Sequence, residues 1–165
     1  MAEAVTAAEV ARRAGIGLVV VRDEDGPVAY GASGLHRLRD DTVEGVDPLL
    51  PYGPYARADL LRHQESAHVG DLVLISCVDP VTEEVAAFEE LVGSHGGLGG
   101  WQTDAMLVHP ARWPIARPEL IGADAVHYQL VEWLVMLGLR SDQAAPIEAA
   151  AVLDLGPRLS RSRDG

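Results

Sequence analysis

Apolar residues gather along this chain in short, bounded runs, and those runs predict its elements. Ile16-Gly17-Leu18-Val19-Val20-Val21-Arg22 is β-branched and almost unbroken by polar residues, as expected of a strand buried on both faces. Asp23-Glu24-Asp25-Gly26 supplies a turn, and Pro27-Val28-Ala29-Tyr30-Gly31 returns, so the pair reads as a β-hairpin. Gly34 to Leu38 and Asp40 to Gly45 add a short strand pair at the edge. Gly70-Asp71-Leu72-Val73-Leu74-Ile75-Ser76, closed by Asp79-Pro80, is the strongest strand pattern and is placed at the centre of the sheet.

Helical periodicity appears in fewer places. Thr6-Ala7-Ala8-Glu9 reads as a capping box opening a short helix to about Ala14, which Gly15 ends. Pro54 suits the first turn of a helix reaching about His63, with Leu60 and Leu61 inward. Residues 123–138 form the clearest helix, with Val126, Leu130, Leu134 and Leu137 along one stripe and Gly138 as its stop. Thr103 to Pro110 reads as one more short strand, whereas Thr82 to Phe88 has no decisive pattern. Asp47 to Tyr55 holds three prolines and a glycine in nine residues, a stiff connector.

The expected fold class is therefore α/β: a partial α/β/α sandwich with a mostly parallel central sheet, a β-hairpin and flanking helices. A single domain spans residues 1–140, followed by an irregular tail over 141–165 that is rich in Ala, Pro and Arg.

Composition narrows the chemistry. The 165 residues carry a formal charge of −12, which opposes nucleic acid and anionic lipid at long range and obliges any phosphate-bearing substrate to find local neutralisation by a metal or an arginine. Cys77 is the single cysteine, so neither an internal disulfide nor a C-x-x-C zinc site can form. With neither a signal-peptide pattern nor a membrane-length apolar run, the chain as given is expected to be soluble and cytoplasmic.

The stretch built for chemistry is Glu89-Glu90-Leu91-Val92-Gly93-Ser94-His95-Gly96-Gly97-Leu98-Gly99-Gly100-Trp101-Gln102, with five glycines in the eight residues from Gly93 to Gly100. Glycine lets backbone come close to a ligand, and His95, presented by such a loop, reads either as a zinc ligand with Glu89 or Glu90 to orient its ring or as a plain loop histidine, since no H-x-H, H-x-x-x-H or D-H pair accompanies it. His109, before Pro110, is the companion that neighbouring strand ends would bring closest. His127 lies near a buried helical stripe, His63 and His68 flank a loop, and Asp71 and Asp79 suit turns. A second pattern overlaps the first: Val92-Gly93-Ser94-His95-Gly96 is like a nucleophile elbow with Val92 in place of its first glycine, Asp104 or Asp124 and His127 completing a serine esterase order. Gly97-Leu98-Gly99-Gly100 fails the dinucleotide spacing because Gln102 stands where the third glycine belongs.

The Thr42 to Leu49 run, the Ala87 to Thr103 run and the Val108-His109-Pro110 strand end together resemble the C-terminal portion of a bacterial alkaline-phosphatase superfamily protein of the type I phosphodiesterase and nucleotide pyrophosphatase kind. The resemblance covers roughly residues 15–138 and is most specific from Phe88 to Gln102. It implies an α/β/α sandwich and a two-metal site, usually zinc, at which a threonine or serine attacks phosphorus. His95 matches the last metal-ligand histidine of that family, and Gly96 and Gly97 would leave room for the substrate's phosphoryl group. The family's nucleophile, its Asp-x-x-x-His pair and its Asp-His pair are not found between Met1 and Val92, so no catalytic residue is assigned within the chain. The implied protein is a metal-dependent phosphodiesterase or phosphatase-like hydrolase, longer or split, whose N-terminal half lies elsewhere, and the implied partners are a phosphate ester substrate and either that missing half or further copies of the chain in a homo-oligomer. A non-catalytic interaction or assembly module retaining part of the fold is the alternative.

Overall fold

A computed structural model describes residues 7–88 and 97–141. The chain divides into two compact units, Met1–Ala105 and Met106–Gly165.

The first unit is built on a five-stranded sheet with every neighbouring pair antiparallel. β1 (Ile16–Asp23) turns through Glu24 and Asp25 into β2 (Gly26–Gly31), with Asp23 opposite Gly26. Asp23 Oδ1 accepts the amides of Asp25 and Gly26, which closes the turn, and Gly26 adopts a positive φ of 129°. β3 (Gly34–Arg37) and β4 (Thr42–Gly45) form the second hairpin. The connector, with α1 (Ala56–Gln64), then carries the chain across the sheet to β5 (Leu72–Ser76), which pairs with β1. The strand order is β4-β3-β2-β1-β5.

This overturns the expected mostly parallel α/β/α sandwich. A parallel neighbour needs a long crossover for every strand, but the first four strands are joined by tight turns that admit only antiparallel pairing. A fully buried aliphatic strand looks the same in either kind of sheet. β1 is such a strand, with Leu18, Val19 and Val20 wholly buried, and antiparallel neighbours, its hairpin partner β2 and the later strand β5, rather than parallel ones flank it. β5 likewise stands at the sheet's edge instead of its centre, and Leu72 and Leu74 are exposed.

Each sheet face has its own cover. On one, Leu18, Val20 and Ala29 pack with Leu38, Leu49, Tyr52, Ala56 and Leu60 from the connector and α1, and Leu61 adds at the margin. On the other, Val19, Val21, Val28 and Tyr30 meet Ala7 of a helical turn at residues 7–10 and Ala11, which follows it and donates to the Ala7 carbonyl. The guanidinium of Arg22 donates to the carbonyl and side-chain oxygens of Gln64, tying the end of α1 to β1. The pairing of β1 with β5 shifts between Ile16 and Leu18, where Gly17 forms a bulge.

In the second unit, α2 (Gly122–Met136) is the expected helix with a different inward face. Leu130, Leu134 and Leu137 are 44%, 40% and 46% exposed, while Ala125, Gln129 and Trp133 are buried. The inward face is chosen by hydrogen bonding. Gln129 and Trp133 both donate to the Pro114 carbonyl, at 3.3 and 2.7 Å, and Gln129 Oε1 accepts the Ala116 amide at 2.7 Å. Leucine periodicity cannot anticipate side chains that satisfy a turn of backbone. The strand expected at residues 103–110 is not formed; those residues follow a 3-10 helix, Gly100–Thr103, and Pro110 removes a donor a ladder would need. The expected tail from residue 142, and Thr6 of the capping box, lie outside the described residues. Among the described residues no helix is long and apolar enough to cross a membrane.

Candidate functional site

The glycine-rich stretch is fixed to the sheet at its downstream end, and the anchoring starts at Tyr52. Asp47 Oδ1 accepts the Leu49 amide at 2.9 Å, and the 3-10 helix Leu50–Tyr52 follows. This directs Tyr52 into the core, where its hydroxyl donates to the Ser76 carbonyl at 2.7 Å. Burial, and then the neighbouring Cys77, push the Tyr52 phenol well above its ordinary range. Gly17 makes room for it, since a Cβ there would stand 1.8 Å from the Tyr52 oxygen.

Beyond β5 the chain folds back on itself. Cys77 donates to the Gly15 carbonyl at 3.0 Å, Val78 bridges Val85, and Ala86 donates to the Cys77 carbonyl at 3.0 Å. Asp79 holds this turn by accepting the Val81 and Thr82 amides at 2.8 and 2.9 Å. The Thr82 amide, then that of Val81, lower the Asp79 carboxyl below the usual aspartate range. The turn role read for Asp79 in the sequence is thus the one it plays.

Gly97 to Thr103 rest on this base. Gly99, at φ 84° and ψ 167°, lies so close to the Tyr52 ring and Val78 that a Cβ would come within 2.7 and 2.8 Å of them. Gly100, at φ 61°, approaches the Glu83 carbonyl, where a Cβ would meet it at 2.3 Å. Gln102 clamps the turn: its Oε1 accepts the Gly97 amide at 3.2 Å and its Nε2 donates to the Leu98 carbonyl at 3.1 Å. Thr103 Oγ1 donates to the Gly100 carbonyl at 2.8 Å. Two glycines of the run are therefore required by packing of backbone against the protein itself.

Of the sequence-derived site residues, Gly97 is placed at the start of this clamped turn, with its N–H engaged by Gln102. His95, Gly96, Ser94, Glu89 and Glu90 lie outside the described residues. His109 belongs to the other unit and is half-buried, its ring stacked on Trp133 at 4.9 Å with Nδ1 3.1 Å from the Pro110 carbonyl oxygen. His63, His68 and His127 are exposed. Among the described residues no group of three or more His, Cys, Asp or Glu side chains is placed to hold a metal ion, so these residues alone build no metal centre and no metal-borne step is assigned to them.

The polar cluster that sequence reading missed centres on His36. It is 5% exposed on β3, with Nδ1 2.9 Å from Asp47 Oδ1 and Nε2 2.9 Å from Asp41 Oδ1. Arg57 joins from α1, its Nε 3.2 Å from Asp41 Oδ1 and 2.8 Å from the Leu38 carbonyl. Asp41 has a φ of 58°, a conformation sparsely populated by residues with a side chain. In the sequence Asp41 falls within the expected edge strand pair and Asp47 opens the stiff connector, and nothing local links either to His36. The arrangement is structural: it pins the β3–β4 turn and the start of the connector to one ring.

A concavity at the β1–β2 turn, lined by Asp23, Pro27, Arg37 and Arg39 among others, has a volume of about 10 Å³, enough for one water and too small for an ester substrate. No family model matches this sequence, and no curated protein or solved structure shows significant similarity to it.

Proposed function

We propose that this chain is the C-terminal portion of a metal-dependent phosphodiesterase or phosphatase-like hydrolase, contributing His95 as one metal ligand of a shared site while the nucleophile comes from the remainder of the protein. The observation that carries this reading is the anchoring of the glycine-rich stretch: Gly99 beneath Tyr52, Gly100 on Glu83, and Gln102 across Gly97 give a stiff base two residues beyond His95. A ligand histidine gains from such a base because its ring must be held in place before the metal arrives. Zinc is the metal that the resemblance implies, and it would also offset the repulsion between a chain of charge −12 and a phosphate ester. In this reading Gly96 admits the phosphoryl group by lacking a side chain, whereas at Gly97 the Gln102 side chain fills the space a Cβ would take, 3.1 Å away, and engages the Gly97 amide, so Gly97 borders the phosphoryl group without opening room for it.

The test is hydrolysis of bis(4-nitrophenyl) phosphate by the chain joined to, or co-expressed with, the polypeptide that supplies the other ligands. His95→Ala is expected to abolish turnover and to lower bound zinc measured by elemental analysis. Full activity in that variant removes His95 from the site. A non-catalytic assembly module is the second reading, favoured by the outer edge of β5, which no other strand pairs among the described residues; a complete protein that carries no zinc and hydrolyses no phosphodiester would favour it over the first.

A further inference from the structure

The two edges of the sheet are finished differently. β4 is four residues long and exposed throughout, and its Glu44 lies 3.5 Å from Arg37, so a charged pair guards that edge. β5 has no such protection. Its sequence Leu-Val-Leu-Ile-Ser contains no charge, proline or glycine, and among the described residues no strand pairs with its outer side.

The side chains point to the same conclusion. Tyr30, Val19 and Leu74 form one row across the sheet, and Val28, Val21 and Leu72 form the next. The first two members of each row are at most 8% exposed, yet Leu74 is 43% exposed and Leu72 is 52% exposed. Both apolar rows run out into solvent at the strand whose outer backbone edge has no strand partner among the described residues. A further strand satisfies both deficits at once, giving partners to the outer-edge N–H and C=O groups that no described strand pairs and extending the rows.

Charge selects among possible strands. Asp71 precedes β5, and Asp79, Glu83 and Glu84 follow it. A second copy pairing antiparallel through β5 would set Asp71 of each chain near the acidic end of the other, between two molecules of charge −12. We propose that the outer edge of β5 receives an extended segment of a different polypeptide region, apolar at alternate positions and flanked by basic residues. The occupant's identity rests on the hydrolase reading: the strand belongs to the portion that supplies the remaining site groups. Since β5 leads directly into the turn on which Gly100 rests, pairing there brings that portion beside the glycine-rich stretch.

The probe is a fluorescein-labelled peptide, Lys-Lys-Val-Thr-Val-Thr-Val-Lys-Lys, titrated with this chain by anisotropy, against the same peptide with Glu replacing Lys. The basic peptide is expected to bind saturably and to slow amide exchange at residues 72–76, and the acidic one is expected not to bind. The double variant L72T/L74T, which is neutral and suited to a strand, is expected to weaken binding about tenfold or more while its thermal midpoint stays with the parent's. Equal binding of the acidic peptide, or undiminished binding by L72T/L74T, overturns the proposal. So does sedimentation of the chain as a dimer that L72T/L74T dissociates, which would make the occupant a second copy. His95→Ala is expected to leave peptide binding untouched, so failure of the metal-ligand assignment and failure of this edge are read separately.

Discussion

Replacing Gly99 with alanine tests whether the glycine-rich stretch is shaped by the protein's own packing. At φ 84° and ψ 167° the residue occupies a region essentially reserved for glycine, and forcing a side chain there costs about 1–3 kcal/mol. The new methyl would also stand 2.7 Å from Tyr52 Cδ1 and 2.8 Å from Val78 Cγ2, an overpacking that costs about 1–3 kcal/mol more. The two add to roughly 2–6 kcal/mol if the turn stays where it is, a large share of the about 5–15 kcal/mol that holds an ordinary domain together. Urea unfolding followed by tryptophan fluorescence is the assay, with Gly70→Ala as the control. Gly70 has no positive φ, its nearest contact for a Cβ is the Leu72 carbonyl at 3.5 Å, and its substitution is expected to change stability by less than about 0.5 kcal/mol. The turn has one way to escape the cost, which is to lift off Tyr52. In that case Gly99→Ala unfolds at nearly the parent's urea concentration but exposes Gly97 and Leu98 to rapid amide exchange. A variant that is neither destabilised nor faster to exchange there refutes the packing argument.

Tyr52→Phe should cost about 1–3 kcal/mol by leaving the Ser76 carbonyl without its donor, measured by the same unfolding assay. The raised Tyr52 phenol gives a pH signature: its contribution is fully present below the unfolded value of about 10 and is lost as pH rises towards the folded value, because the unfolded chain gives up the proton first. Stability is therefore expected to fall above about pH 10 in the parent and to fall less steeply in Tyr52→Phe. His36→Ala should destabilise by about 1–3 kcal/mol, since it strips Asp47 and Asp41 of a shared partner, the cost being limited by the exposure of Asp41. Its effect on proteolysis should concentrate at the β3–β4 turn and the connector.

Local patterns carried most of the first unit. The β1–β2 hairpin, the edge pair β3–β4, α1 and the turn at Asp79 were readable because each is specified by neighbours within a dozen residues: a turn cluster, an alternation, a proline that lies in the turn before the helix rather than in its first turn as expected. The arrangement of strands was not, because Leu72 to Ser76 has the same apolar run whether it sits inside a parallel sheet or at an antiparallel edge. The inward face of α2 was misread for a related reason: Gln129 and Trp133 earn burial through the Pro114 carbonyl, a bond to a residue fifteen or more positions away. Similarly, His36 reads as one strand residue until Asp41, Asp47 and Arg57 are folded around it. The glycine-rich stretch was recognisable as shaped backbone, but Tyr52 and Val78, which explain Gly99, come from 47 and 21 positions upstream.

The bulge at Gly17 settles a degeneracy that the strand sequences leave open. Leu-Val-Leu-Ile repeats so evenly that β5 could slide along β1 by two residues and still present aliphatic side chains to the same faces. Gly17 marks the alignment that forms. A Cβ at that position would meet Tyr52, the Ser76 carbonyl and the Cys77 Cα within 3 Å, so the bulge and the close approach of the end of β5 fit together only where a residue without a side chain stands opposite them. One residue without a side chain thereby acts as an index mark for the sheet, and everything that follows β5 along the chain inherits its position from that mark.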